Sequence, residues 1–266
     1  MQDIPADDRG LTLGVGLFET VLAIDGRPML WAAHLDRLKR GCAALALPPP
    51  DRALCEARVY EELAQSGLDQ GRAAVRLTWT GGSGARGLAM PDPARPRLLV
   101  TVARAATPPD SAALHTSTIR RNATSPASRM KTLNYLDNVL ARAEATAAGA
   151  DEALMLDHSG ALACAAAANL FWLESDALFT PALGCGVLDG VIRAAALRLA
   201  PQLGLAIHEV HAPASRLADG DGAFLTNSLQ GAVPIRSLDG TALKTMNASG
   251  AALMARLRAV SEGREA

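Results

Sequence analysis

RMKTLNYLDNVLARAEA, residues 129–145, is the stretch on which the reading of this chain turns. Leu133, Leu136, Leu140 and Ala143 recur at three- and four-residue spacing, which predicts a helix from 132 to about 147 with these residues on its apolar face and Thr132 as N-cap. Lys131 then stands just before that helix, with its charge at the unfavourable end of the helix dipole. Solvation at a helix start is one account of such a lysine. The other is an amine kept out of water, which sheds its proton and attacks an aldehyde to form a Schiff base.

Outward from this stretch the pattern is α+β. LTLGVGLFETVLAI, the turn pair Asp25-Gly26 and Pro28-Met29-Leu30 read as a hairpin over 11–30. Helices follow over 32–46 and 51–66, then strands in RAAVRLTWT and RPRLLVTVA around the Gly-rich loop GGSGARGLAMPDPA. Beyond a short strand near HTSTIRR and the helix after Lys131 come the strands EALMLD, NLFWLE and ALFT. A helix opens at Val191, GAFLTNSLQGAVPI reads as a strand broken by a polar loop, and a helix over 247–261 closes the chain. ATPPDSAA marks a linker, so the expected organisation is an N-terminal α/β domain 1–106, a linker 107–114 and a C-terminal α/β domain 115–266 carrying Lys131, with a small-molecule cleft between the lobes.

Composition narrows the function classes. With 266 residues, 49% of them apolar, the chain can bury a large core. Lys and Arg (26) nearly cancel Asp and Glu (27), which excludes the basic footprint of a nucleic-acid binder. The polar start MQDIPADDRG is unlike a secretory signal and no apolar run is long enough for a membrane span, so a cytoplasmic protein is expected. Cys42, Cys55, Cys164 and Cys185 are widely spaced with no CxxC pair, read as buried thiols rather than zinc ligands, and no metal is expected.

Three further segments offer anion-binding chemistry. GCGVLDGVIRAA places glycines before a helix, where the amides of Val191 and Ile192 can face a phosphate. Arg37 in HLDRL and Ser228 in TNSLQG are each either phosphate ligands or ordinary helix and turn residues. His34 reads as a packed histidine, because no partner stands at triad-like spacing. No nucleophile elbow, P-loop or dinucleotide fingerprint is present.

Taken in order, GLFET (16–20), HLDRL (34–38), KTLNYLDNVLARAEA (131–145), DEALMLD (151–157), NLFW (169–172), LDGVIR (188–193) and TNSLQGAVPI (226–235) resemble the class IV aminotransferase family, the fold-type IV pyridoxal-5'-phosphate (PLP) enzymes. The resemblance implies two α/β lobes of the D-amino acid aminotransferase-like architecture, PLP in the cleft, and a homodimer. It makes Lys131 the Schiff-base lysine and proton shuttle. Arg37, the Val191 and Ile192 amides and Ser228 would hold the phosphate, with Tyr135 near the 3'-oxygen and Asn169 also against the cofactor. Where the family usually pairs a glutamate with the pyridine nitrogen, five residues before the Asn of NLF, this chain has Cys164. A neutral thiol supports that nitrogen's charge less well.

Within the family, GGSGARGL, GLFET and TNSL resemble the lyase branch that converts 4-amino-4-deoxychorismate to 4-aminobenzoate and pyruvate, and TWTGGSGARGL lacks the Arg-x-His element of D-amino acid transaminases. The expected substrate contacts are Arg86, Phe18 and Asn227. An aminotransferase of branched-chain or other small amino acids is the alternative. A PLP-binding homologue with altered or no activity is a third reading, motivated by Cys164.

Overall fold

The computed structural model describes residues 4–265; the outer ends of the two expected domains, at 1 and 266, lie outside them. The chain divides into two compact units, one running to Ala106 and including Met130–Asn134, the other comprising Thr107–Arg129 and the chain from Tyr135. Lys131, expected in the C-terminal domain, therefore packs with the first unit. The expected linker is also shorter than drawn, because Ala112–Leu114 already belong to a strand.

The first unit comprises α1 (Arg9–Leu13), β1 (Gly16–Ile24), β2 (Arg27–Pro28), α2 (Trp31–Ala44), α3 (Arg52–Gln65), β3 (Arg72–Thr80) and β4 (Arg97–Arg104). Its strands form an antiparallel sheet in the order β2-β1-β3-β4. The Asp25-Gly26 turn closes the hairpin as expected, with positive φ at both residues. Period-2 alternation along β3 buries Ala73, Val75, Leu77 and Trp79 on one face. Ala73, Val75 and Leu77 pack in one core with Val21, Cys55, Val59 and Leu63, and Trp79 packs in another with Leu17 and Leu38. Leu11–Leu13, expected to open the hairpin, instead end the short helix Arg9–Leu13, which is capped by the Asp8 side chain.

The second unit comprises β5 (Ala112–Thr116), α4 (Leu136–Ala147), β6 (Glu152–Leu156), β7 (Leu162–Ala165), β8 (Asn169–Glu174), β9 (Ala177–Pro181), α5 (Val191–Leu199), β10 (Ala206–Val210), α6 (Ser215–Asp219), β11 (Ala223–Asn227), β12 (Gly231–Leu238), β13 (Thr241–Ala242) and α7 (Ala248–Ser261). Among the described residues these strands build one mixed sheet in the order β10-β9-β8-β11-β12-β5-β6-β7, with β13 on β12. Phe171 and Phe224, directly opposite in the β8–β11 register, stack with centroids 5.1 Å apart at its centre.

The helix after Lys131 differs from its sequence reading in two ways. It starts at Leu136, with Tyr135 as a cap that makes no side-chain bond. The preceding residues run alongside β1 instead: Thr132 bridges Leu17, and Leu133 N–H donates to the Gly16 carbonyl at 3.1 Å. Its buried face is also the small one, Asn138, Ala141 and Ala145, whereas Leu136, Val139 and Leu140 are 67%, 60% and 45% exposed. Apolar periodicity locates a helix but does not say which apolar residues the neighbouring sheet has room for.

Trp172 lies fully buried at the middle of β8, donating from Nε1 to Glu174 at 2.7 Å and stacking on Phe179. Trp172→Ala should cost about 3–5 kcal/mol and lower the melting temperature by about 10 °C. Thermal denaturation followed by circular dichroism checks this; an unchanged midpoint would contradict the packing described.

Candidate active site

The first unit gathers its candidate residues around β1. Glu19, buried on β1, faces α2, whose His34 and Arg37 stand three residues apart and so share one helix face. Arg37 donates from Nε to Glu19 Oε1 at 2.8 Å and from its Nη2 to Oε2 at 2.5 Å, a bidentate fork. His34 Nδ1 lies 2.7 Å from the same Oε2. Burial works to raise the Glu19 pKa, but the hydrogen bonds of Arg37 and His34 and the Arg37 charge outweigh it and hold it at about 2. Burial lowers the His34 pKa against the pull of Glu19, so the imidazole is neutral. The proton on Nδ1 then faces the carboxylate, and the buried Nε2 keeps its lone pair without a hydrogen-bond partner. Gly41 lets α2 come this close, since a Cβ there would stand 2.8 Å from Leu17 Cδ1.

Next to Glu19 on β1, Phe18 ties this cluster to Lys131. Phe18 N–H donates to the Lys131 carbonyl at 2.8 Å, and the Lys131 Nζ sits 4.3 Å from the Phe18 ring centroid. Arg76, which sequence reasoning passed over, meets the same ring at 3.7 Å. Lys131 is thus placed by strand-like pairing to β1 rather than by a helix start, and the unfavourable dipole expected for it does not arise.

Arg86 is exposed on the loop after β3, where it lines a cavity of about 340 Å³ with Arg9, Thr12 and Leu13. Arg9, not anticipated from sequence, is buried beneath that loop and donates to the Ala85 and Gly87 carbonyls at 3.1 Å each. It braces the loop backbone.

In the second unit Val191 and Ile192 open α5. Gly190 is its N-cap and supplies no side-chain acceptor, and no acidic residue stands in the first turn. These are the conditions under which a helix N-terminus receives an anion. Asn169 shapes this turn: its Nδ2 donates to the Leu188 carbonyl at 2.9 Å, and its Oδ1 lies where a Cβ on Gly190 would come within 2.0 Å. A side chain at Gly190 would have to displace the Asn169 amide. Arg193 pins the far side, buried and paired with Glu209 at 2.5 Å.

Asn227 and Ser228 form the turn between β11 and β12. Asn227 Oδ1 accepts from the Leu229 and Gln230 amides at 3.1 and 2.9 Å, so its side chain is committed to the turn, which was not the role expected of it. Thr226, one residue earlier, has a buried hydroxyl oxygen with no hydrogen-bond partner. Cys164 on β7 is buried, and burial raises its thiol pKa further than the Arg121 charge lowers it, so it is a neutral group. Tyr135 sits half-buried at the α4 cap.

Comparison with known proteins bears on this set as a whole. The sequence profile of amino-transferase class IV matches residues 16–238. Aminodeoxychorismate lyase of Bacillus subtilis is 28% identical over 87% of this chain and 80% of its own length. The crystal structure of 4-amino-4-deoxychorismate lyase from Pseudomonas aeruginosa superposes with a TM-score of 0.87 at 32% identity, covering 97% of this chain and 95% of that one. The putative 4-amino-4-deoxychorismate lyase of Legionella pneumophila superposes with a TM-score of 0.90 at 27% identity, over 98% of this chain and 96% of that one. With its profile match spanning both units and every motif in order, the chain belongs to the class IV aminotransferase family.

Proposed function

We propose that this protein is a PLP-dependent lyase that converts 4-amino-4-deoxychorismate to 4-aminobenzoate and pyruvate. The observation that carries the reading is its likeness, along almost the whole of both chains, to the Pseudomonas aeruginosa lyase. The residues present fit a phosphate-bearing aldehyde cofactor: α5 begins without a side-chain cap, a buried hydroxyl at Thr226 lacks a partner, and Lys131 is fixed on Phe18.

In this reading Lys131 holds the cofactor through Nζ, and Arg37, the Val191 and Ile192 amides and Ser228 hold its phosphate. Tyr135, Asn169 and Cys164 complete its surroundings. PLP, when bound, supplies an aldehyde for the substrate amine and a ring that withdraws electrons from the carbon bearing it. The Lys131 amine would take the proton from that carbon, the C–O bond from the substrate ring to its enolpyruvyl group would break as the substrate ring becomes aromatic, and the departing enol would gain a proton on its methylene carbon to give pyruvate. Aromatisation provides driving force that amino-group exchange lacks, which suits a site where Cys164 offers a neutral thiol in place of a carboxylate. Phe18 borders the reacting amine, and Arg86 is the candidate partner for a substrate carboxylate. Glu19 and His34 act through Arg37, holding its guanidinium in one orientation.

We further propose a homodimer acting in the cytoplasm. The exposed Leu136, Val139 and Leu140 form an apolar face on α4 suited to a second copy, and the four cysteines are all free thiols.

Three outcomes test these assignments. Purified protein mixed with chorismate, glutamine and aminodeoxychorismate synthase should release 4-aminobenzoate, and Lys131→Ala should lose this activity about a thousand-fold or more together with the visible absorbance of lysine-bound PLP. No 4-aminobenzoate alongside amino-acid-dependent conversion of 2-oxoglutarate would replace the lyase by an aminotransferase. Glu19→Gln should destabilise the fold by about 3 kcal/mol near neutral pH. Because the Glu19 carboxyl is held at about 2 instead of its ordinary 4.5, its contribution is complete above 4.5 and is lost as pH falls through 2. Denaturant titrations of both proteins at several pH values should therefore converge in acid; a constant gap would refute the pairing. Finally, Val139→Asp with Leu140→Asp should halve the mass seen by light scattering, and an unaltered dimer would move the interface elsewhere.

A further inference from the structure

A second cluster of chemically capable side chains lies in the second unit, and none of the residues assigned to the cofactor belongs to it. Asp157 opens the turn between β6 and β7, Cys185 ends the short 3-10 helix Leu183–Cys185 after β9, and His211 follows β10. One donor atom from each lies within 4.8 Å of the others. We propose that Asp157, Cys185 and His211 form a zinc site, with water as the fourth ligand.

The geometry is close to what zinc requires. At tetrahedral bond lengths, nitrogen and oxygen ligands of one zinc ion stand ~3.3 Å apart, and a sulfur stands ~3.6 Å from either. Asp157 Oδ2 and His211 Nε2 are 3.2 Å apart already. The 4.8 Å limit leaves the thiol about 1 Å to move at most, within reach of a small side-chain rotation. Two of the three ligands are pre-set. Asp157 is buried, with Oδ1 fixed by the Ser159 amide at 2.8 Å and the Ala161 amide at 3.0 Å, which leaves Oδ2 to turn toward the histidine. Cys185 is buried with its sulfur against the Val210 carbonyl. His211 is 60% exposed and provides the side from which an ion and its water enter. The ligand set, thiolate with imidazole and carboxylate, is of the mixed soft and borderline kind that suits zinc.

The charge of the ligand set matches a divalent ion. On binding, the thiol proton would pass to solvent, and two anionic ligands and a neutral imidazole would leave the site neutral overall. Ser159 Oγ, 3.0 Å from His211 Nε2 and 2.6 Å from Asp157 Oδ1, is placed to hydrogen-bond the bound water. A hydrolytic Ser-His-Asp relay is not an alternative reading. Ser159 and Asp157 both meet the same ring nitrogen, whereas a relay needs one partner on each. Zinc here would clasp the β6–β7 turn to the end of β10, where the Ala161–Pro213 bridge already joins the two segments.

The 266-residue chain, freed of metal with EDTA, is titrated with cobalt(II) and then with zinc. The expected result is one cobalt bound per chain, with a thiolate-to-cobalt charge-transfer band and the intense visible bands of a tetrahedral complex, both erased by zinc. Cys185→Ser should remove the charge-transfer band. His211→Ala, at an exposed position that leaves the fold intact by circular dichroism, should weaken zinc binding about ten-fold or more. At a hundredfold excess of zinc over Kd the wild-type melting temperature should rise by about 5 °C, and that of His211→Ala much less. A cobalt spectrum without the thiolate band, a band that survives Cys185→Ser, or equal zinc affinity in His211→Ala would each overturn the site.

Discussion

The constraint on which the first unit depends is the buried carboxylate of Glu19. A carboxylate with almost no access to water is tolerable only when its charge and lone pairs are met inside the protein, and Arg37 and His34 meet them. The same contacts fix the angle at which α2 lies on β1 and the direction of the Arg37 guanidinium. They also hold the β1 backbone beside which Lys131 runs, so the neighbouring Phe18 can present both an amide to the Lys131 carbonyl and a ring face to its ammonium. One ion pair thus sets the Arg37 guanidinium, the Phe18 ring and the Lys131 side chain in register.

In the second unit the equivalent economy is the turn before α5. Asn169 reaches across from β8 to the Leu188 carbonyl and crowds the space a side chain at Gly190 would need, and the α5 N-terminus has no side-chain cap. A helix end left in that condition favours an external anion. The buried Thr226 hydroxyl without a partner is a further cost that a hydrogen-bonding ligand would relieve. Cys164 departs from this economy, because burial keeps it a neutral thiol where the resemblance leads one to expect a carboxylate.

The family was readable in the chain as ordered motifs. HLDRL, KTLNY, LDGVIR and TNSLQG lead to the proposed roles of Arg37, Lys131, the Val191 turn and Ser228 only as a set, because each segment alone is also an ordinary helix or turn. The roles that escaped are those made by distant partners. Glu19 was in view within GLFET, but its hold on Arg37 depends on β1 and α2 meeting; the His34–Arg37 spacing, which puts both on one helix face, was the signal available. Arg9 and Arg76 stand in no motif, and Asn227 looked like a substrate contact because sequence cannot say that its oxygen is spent on its own turn.

By itself the sequence determined the α+β class, the positions of most strands and long helices, and the family, because periodicity, turn residues and ordered motifs are local properties of the chain. Tertiary structure alone decided that Lys131 leans on β1 instead of starting a helix, that α4 buries its alanines and exposes its leucines, and that Asp157, Cys185 and His211 converge. Each of those outcomes depends on which surfaces pack together and how much room remains between them, and side-chain volume against a neighbouring sheet is not written in any single segment.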